Sequence, residues 1–278
     1  MNKTLPCLLG ALLISSPVMA EGEWKYTTGI DISSGDYGGD PADTDITFLP
    51  FAATYTDGDW SYKVSTGFVK IEGPGTVIGA GDGVVVVGGN NGNGNGNGNG
   101  NGNNGGGSTT PPLITSESGI ADTWLSATYS VGDVSGDNLF LDLGVKLKLP
   151  TADDNKGLGT GEFDYTLQAD IFKPAGDGMP FASLAYKVKG DPDGVDLNNV
   201  IYASVGYDYR MNQQTHIGTS LDYQEAATDL SDDATDLMIY LNRTLSPRWS
   251  LMVYGYIGLA DGSPDQGAGL QVSYRPER

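Results

Sequence analysis

Few residues in this sequence could do covalent chemistry. His216 is the one histidine, and a general base needs a nucleophile within hydrogen-bond reach. On an extended strand the same-face neighbour lies two residues away, and that place is Gly218, with Ser220 beyond it. A lone histidine so placed reads as a polar lining residue. Asp191, Asp193 and Asp196 sit in DPDGVDLN. They have the early spacing of a calcium loop but lack its later ligands and its closing glutamate. No HExxH, no phosphate-cradling loop and no cysteine–histidine cluster occurs, so the motifs predict no enzyme, no metal site and no cofactor. A net charge of −20, from 35 acidic and 15 basic residues, argues against a nucleic-acid partner, which calls for a basic surface.

The chemistry left is charge held in place, and the elements that hold it are strands. Residues 138–149 read NLFLDLGVKLKL. Successive strand residues point to opposite faces. Leu139, Leu141, Leu143, Val145, Leu147 and Leu149 therefore share an apolar face, and Asp142, Lys146 and Lys148 share a polar one. The same period of two recurs near 60–68, 163–171 and 201–210. It recurs also near 23–32, 45–56, 121–131, 181–189, 215–224, 235–244, 248–259 and 267–275. Leu49, Pro50 and Phe51 blur the parity of the segment at 45–56. About eleven residues rising roughly 3.3 Å each, tilted near 40°, cross a thin bilayer core. A secreted β-sandwich would alternate too.

Two further signals favour a barrel. The connections alternate long (near 33–43, 72–119, 150–162, 190–199, 225–234 and 260–266) and short (near 57–59, 132–137, 174–178, 211–214 and 245–247). Outer-membrane barrels have long extracellular loops and short periplasmic turns. Trp24, Tyr55, Trp60, Tyr129, Tyr209, Trp249 and Tyr274 all fall near the short-turn ends of strands, on the apolar parity. That is an interfacial girdle, where amphipathic rings are favoured. The expected fold is an all-β, antiparallel transmembrane barrel of about twelve strands.

Residues 1–20 carry Lys3, a short apolar run from Leu5 to Ile14, Pro17 and a small residue at Ala20. This reads as a signal peptide cleaved after Ala20, with the barrel over 21–278. The run is too short to span a membrane as a helix. Cys7, the single cysteine, lies inside it, so the mature chain uses no disulfide. The predicted long loop 72–119 contains an Asn/Gly repeat at 90–107 with no apolar group to bury, which predicts disorder. Val84 to Val87, just before it, could dock in the barrel mouth as part of a mobile plug.

Parity sorts the charges. Lys25, Lys63, Lys146, Lys148, Lys187, Lys189, Arg210, Arg248 and Arg275 fall on the inward face. Asp31, Asp142, Asp164, Asp170, Asp208 and Asp222 join them, with Tyr202, Tyr240, Tyr254 and Tyr256. The long loops are acidic, with Asp36, Asp153, Asp154, Asp229, Asp232 and Asp233 among them. Charges inside a barrel can pair with one another and prop it, or tune what passes. The tyrosines could line an aromatic track or fill the lumen.

The segment GVKLKLPTADDNKGLGTGEFDYTLQAD, Gly144 to Asp170, resembles the outer-membrane transporter-like family named after the meta-pathway of phenol degradation. A strand ends in Lys-Leu-Pro-Thr, then come a polar loop, Gly-Leu-Gly-Thr-Gly, an acid and a new strand. Ala152 stands where that family usually shows glycine. The resemblance implies a barrel passing small, often hydrophobic or aromatic, molecules. The combined expectation is a channel in the outer membrane of a Gram-negative bacterium. Its partners would be outer-membrane lipid, lipopolysaccharide, a small-molecule solute and the barrel-assembly machinery during insertion. The alternative is a closed structural or surface-interaction barrel whose acidic loops bind cations or lipopolysaccharide.

Overall fold

A strand with one apolar and one polar face is stable only beside others that share those faces. The computed structural model describes residues 22–37, 43–74, 77–78, 85–86, 114–192, 194–229 and 231–277. The expected signal segment and the Asn/Gly repeat lie outside these residues. The chain forms β1 (Glu23–Gly35), β2 (Thr44–Asp57), β3 (Trp60–Gly73) and a small hairpin, β4 (Val77–Ile78) with β5 (Val85–Val86). Then come β6 (Thr115–Ile120), β7 (Thr123–Asp133), β8 (Phe140–Leu149), β9 (Asp164–Phe172) and β10 (Gly178–Val188). The last five are β11 (Val200–Asn212), β12 (Thr215–Gln224), β13 (Ala234–Thr244), β14 (Trp249–Gly258) and β15 (Gln266–Tyr274).

Each strand pairs antiparallel with its neighbour, and β1 pairs with β15, so the sheet closes on itself. The sheet has thirteen strands, but β6 and β7 both pair with β3 and are two halves of one stave, which leaves a twelve-stave barrel. Between Ser65↔Trp124 and Phe68↔Ile120, two residues of β3 face three, Ala121 to Thr123. This bulge turns both Ala121 and Asp122 into the interior, where both are buried. The expected loop 72–119 is therefore shorter: β3 runs to Gly73 and β6 begins at Thr115. TSESGI carries no apolar alternation because the outer face of β6 is largely polar at the long-loop end. The β1–β2 ladder skips Gly29–Ile30 opposite Leu49–Pro50, where Pro50 has no N–H to give.

The outward face is an apolar belt that includes Leu143, Val145, Leu167, Leu184, Val205 and Ile239. So large a continuous apolar surface is stable against hydrocarbon rather than water. At the short-turn end the outward aromatics pair across strands. Ring centroids lie 5.0 Å apart for Trp24–Tyr55, 4.9 Å for Trp60–Tyr129 and 4.7 Å for Trp249–Tyr274. Tyr209 is outward and exposed at the same end of β11.

Leu143→Arg should destabilise the folded barrel by roughly 2–4 kcal/mol, because its side chain meets mid-bilayer hydrocarbon. Asp142→Asn, one residue away and inward, should cost much less. Reversible unfolding from lipid vesicles measures both, and equal costs would contradict the assignment of faces.

Candidate functional site

The interior has a filled part and an open part, and the filling begins with aromatics laid against glycines. Tyr254 stands opposite Gly269, Tyr256 opposite Gly267, Tyr240 opposite Gly218 and Phe181 opposite Gly206. A β-carbon at any of these glycines would overlap the facing ring, so their absence lets each ring fold flat onto the wall. These rings pack with Met238 and Met252 into one buried cluster. Their hydroxyls then need partners. Tyr254 and Tyr256 donate to the two oxygens of Asp31 at 2.6 and 3.0 Å. Tyr240 donates to Asp208 at 3.0 Å and Tyr202 to Asp222 at 2.7 Å.

A second buried cluster fills the long-loop end: Tyr37, Ile46, Phe48, Val69, Ile71, Val77, Ala121 and Leu158. Tyr37 sits just beyond β1, hydrogen-bonded to Ser33 at 3.1 Å, and burial pushes its hydroxyl above the ordinary range. Sequence reasoning missed this cluster. Its one visible trace is the blurred parity at 49–51, because part of β2 is apolar on both faces. Trp124 was missed as well; it is inward and buried. Val77 joins the cluster, whereas Val84 and Val87 lie outside the described residues.

Beside these clusters lies an ion-pair knot. Lys148 approaches Asp164 at 3.0 Å and Asp122 at 3.6 Å, and donates to Thr160 at 2.8 Å. Lys189 reaches the same Asp164 at 2.8 Å. Lys187 donates to Gln224 at 2.8 Å and lies 5.3 Å from the Tyr202 ring centroid.

The open part is a polar vestibule at the short-turn end, made of two cavities that share Lys25. One, of about 240 Å³, is lined by Lys63, Asp142, Lys146 and Asp170 among others, with Gly58 and Asp59 at its rim. The other, of about 540 Å³, is lined by Asp208, Arg210, His216 and Arg275 among others, with Pro174 to Gly178 beside them. Asp142 and Asp170 face each other in register and accept hydrogen bonds from Ser130 at 2.6 Å and Ser183 at 2.5 Å. Arg210 pairs with Asp177 at 2.7 Å near the rim. His216 Nδ1 lies 2.8 Å from Asp208.

The parity-assigned inward residues thus divide. Lys63, Asp142, Lys146, Asp170, Asp208 and Arg210 line the vestibule. Lys148, Asp164, Lys187, Asp222, Tyr254 and Tyr256 are inward and buried in the filling. Parity gives a side; what packs there was decided by residues remote in sequence. Asp191 accepts the Leu197 N–H at 2.8 Å and closes its own loop. Among the described residues no three potential metal ligands converge.

Strand register reveals an order that parity could not. Directly cross-strand, Lys25 pairs with Thr54, Thr54 with Lys63, Lys63 with Ser126, Ser126 with Lys146, Lys146 with Thr166, and Thr166 with Lys187. Lysines and hydroxyls therefore alternate around half the wall. Lys25 is near the short-turn end of β1 and Lys187 near the long-loop end of β10, so the row climbs the barrel. With strands about 4.8 Å apart and a tilt near 40°, six steps rise roughly 18 Å.

No protein-family model and no curated protein matches the sequence. Solved structures match by fold. The KdgM porin is 9% identical, with a TM-score of 0.50 over 91% of this chain and 99% of that one. The NanC porin is 11% identical, with a TM-score of 0.51 over 90% and 98%. The fold is that of these porins. A KdgM porin in complex with disordered oligogalacturonate aligns at 10% identity, with a TM-score of 0.48 over 92% and 100%. The resemblance over Gly144–Asp170 rests on those residues alone.

Asp31→Ala should strand the buried Tyr254 hydroxyl, at about 1–3 kcal/mol, and remove one of the two partners of Tyr256, which keeps Ser33. Tyr254→Phe should cost less, since Asp31 keeps Tyr256. Unfolding titrations of the two variants against the parent protein check the order.

Proposed function

We propose that this barrel is an outer-membrane channel for the passive passage of small anionic solutes. The observation that carries this is the lysine–hydroxyl row running from the vestibule toward the long-loop end. Cations on alternate strands stand about 10 Å apart, twice the strand spacing. A carboxylate or phosphate could pass from one to the next without meeting an uncompensated charge. Lumen charges set which solutes pass. Asp31 and Asp222 are engaged by tyrosine and serine hydroxyls, and Asp142 and Asp170, which share the cavity with Lys63 and Lys146, by Ser130 and Ser183. The cross-strand row of lysines is the feature suited to an anionic guest.

The apolar belt and the aromatic pairs support a bilayer location. An exported chain would insert through the barrel-assembly machinery with its long loops outside, beside lipopolysaccharide. The phenol meta-pathway resemblance implies hydrophobic or aromatic solutes. The inward tyrosines are its sole internal support, and they are packed over glycines and hydrogen-bonded to aspartates rather than lining a track. The burial of the mid-barrel favours a second reading, a closed structural barrel. Its loop acids do serve loop folding: Asp233 accepts from Tyr223 and from the Ala226 N–H, and Asp229 from Asn198.

The test is a planar-bilayer recording of the refolded chain in a salt gradient. Discrete conductance with an anion-selective reversal potential is expected, and Lys63→Gln with Lys146→Gln should lower the anion preference severalfold. Cation selectivity that the double substitution leaves unchanged would overturn the anionic reading. Silence from a folded barrel would favour the structural one.

A further inference from the structure

The loop between β8 and β9 does not stay outside the barrel. After Pro150 it makes a short 3-10 turn at Asp154–Lys156, then doubles back through Gly157, whose φ of 66° is left-handed. That reversal sends Leu158 into the buried cluster of Phe48, Val69 and Ile71 at 1% exposure. A β-carbon at Gly119 would lie 2.7 Å from Leu158 Cδ1, so the wall at β6 is trimmed to receive this side chain. Both flanks of the loop are tied to the wall. The Ala152 N–H donates to Asp122 at 3.0 Å, and Thr151 and Thr123 hydroxyls meet at 2.9 Å. On the other flank Lys148 grips Thr160 and Asp164.

We infer that residues 152–161 form a plug that closes the long-loop end of the barrel, with Leu158 as its stopper and Lys148 as its latch. The inference rests on the channel reading. Withdrawing one leucine from an apolar socket and breaking two polar contacts, Ala152 N–H to Asp122 and Lys148 to Thr160, frees the segment, while β8 and β9 keep their register. Asp164 and Lys148 belong to the strands and stay behind. Lys148 lies one residue pair beyond Lys146 on the same inward face, so the latch stands beside the lysine row.

Two variants test it, in the chain from residue 21 onward, which lacks Cys7, refolded into bilayers, with heat-modifiable gel mobility as the check that each barrel is folded. Leu158→Gly should raise the conductance severalfold. Gly119→Cys with Leu158→Cys, in a mature chain expected to have no other cysteine, should lock the plug when joined by a disulfide or a short thiol cross-linker. Conductance should vanish on cross-linking and return on reduction for the disulfide. If the parent conducts and the cross-linked variant conducts as well as the reduced one, the plug is overturned and the channel stands. If neither the parent nor Leu158→Gly conducts, both readings fall.

Discussion

Everything in this structure follows from the requirement that no backbone amide be left facing hydrocarbon unpaired. A sheet with an apolar outer face can meet it only by closing on itself, and the pairing of β1 with β15 does so. Closure fixes a finite interior, and the alternation of the strands then forces half of all strand side chains into it. The one gap in the β1–β2 ladder, at Pro50, falls where the missing donor belongs to the chain itself rather than to poor packing.

That interior is too small to be left to water alone and too polar to be a simple core. The structure resolves the conflict by zones. Rings lie on glycines along β10 to β15, and their hydroxyls are given to Asp31, Asp208 and Asp222. Apolar side chains from β2 and β3 gather around Leu158 at the long-loop end. Between them, Asp164 holds Lys148 and Lys189. Buried ions are tolerated only when paired and hydrogen-bonded, and here each cation of the knot has a carboxylate within reach. An open vestibule lies at the short-turn end, where Lys25, Lys63 and Lys146 begin the row that climbs toward Lys187.

Single residues therefore serve several parts of this filling at once. Lys148 is an ion-pair partner, a tether for the loop and a neighbour of the lysine row. Thr166 is a member of that row and also part of the filling, with a buried hydroxyl that has no hydrogen-bond partner.

The sequence by itself determined the barrel. Period-two patterning, the alternation of long and short connections and the outward Trp and Tyr positions are local properties, and each strand carries them independently. It also determined which side chains face inward, since parity needs nothing beyond the strand itself. Only the tertiary structure decided what those side chains meet. Lys25 to Lys187 form a row because of cross-strand register, and register is set by turns and bulges such as Ala121–Asp122 that no alternation encodes. Leu158 is a stopper because a loop folds back on Gly157, which places a residue read as surface polar loop against Phe48 and Val69, far away in the chain.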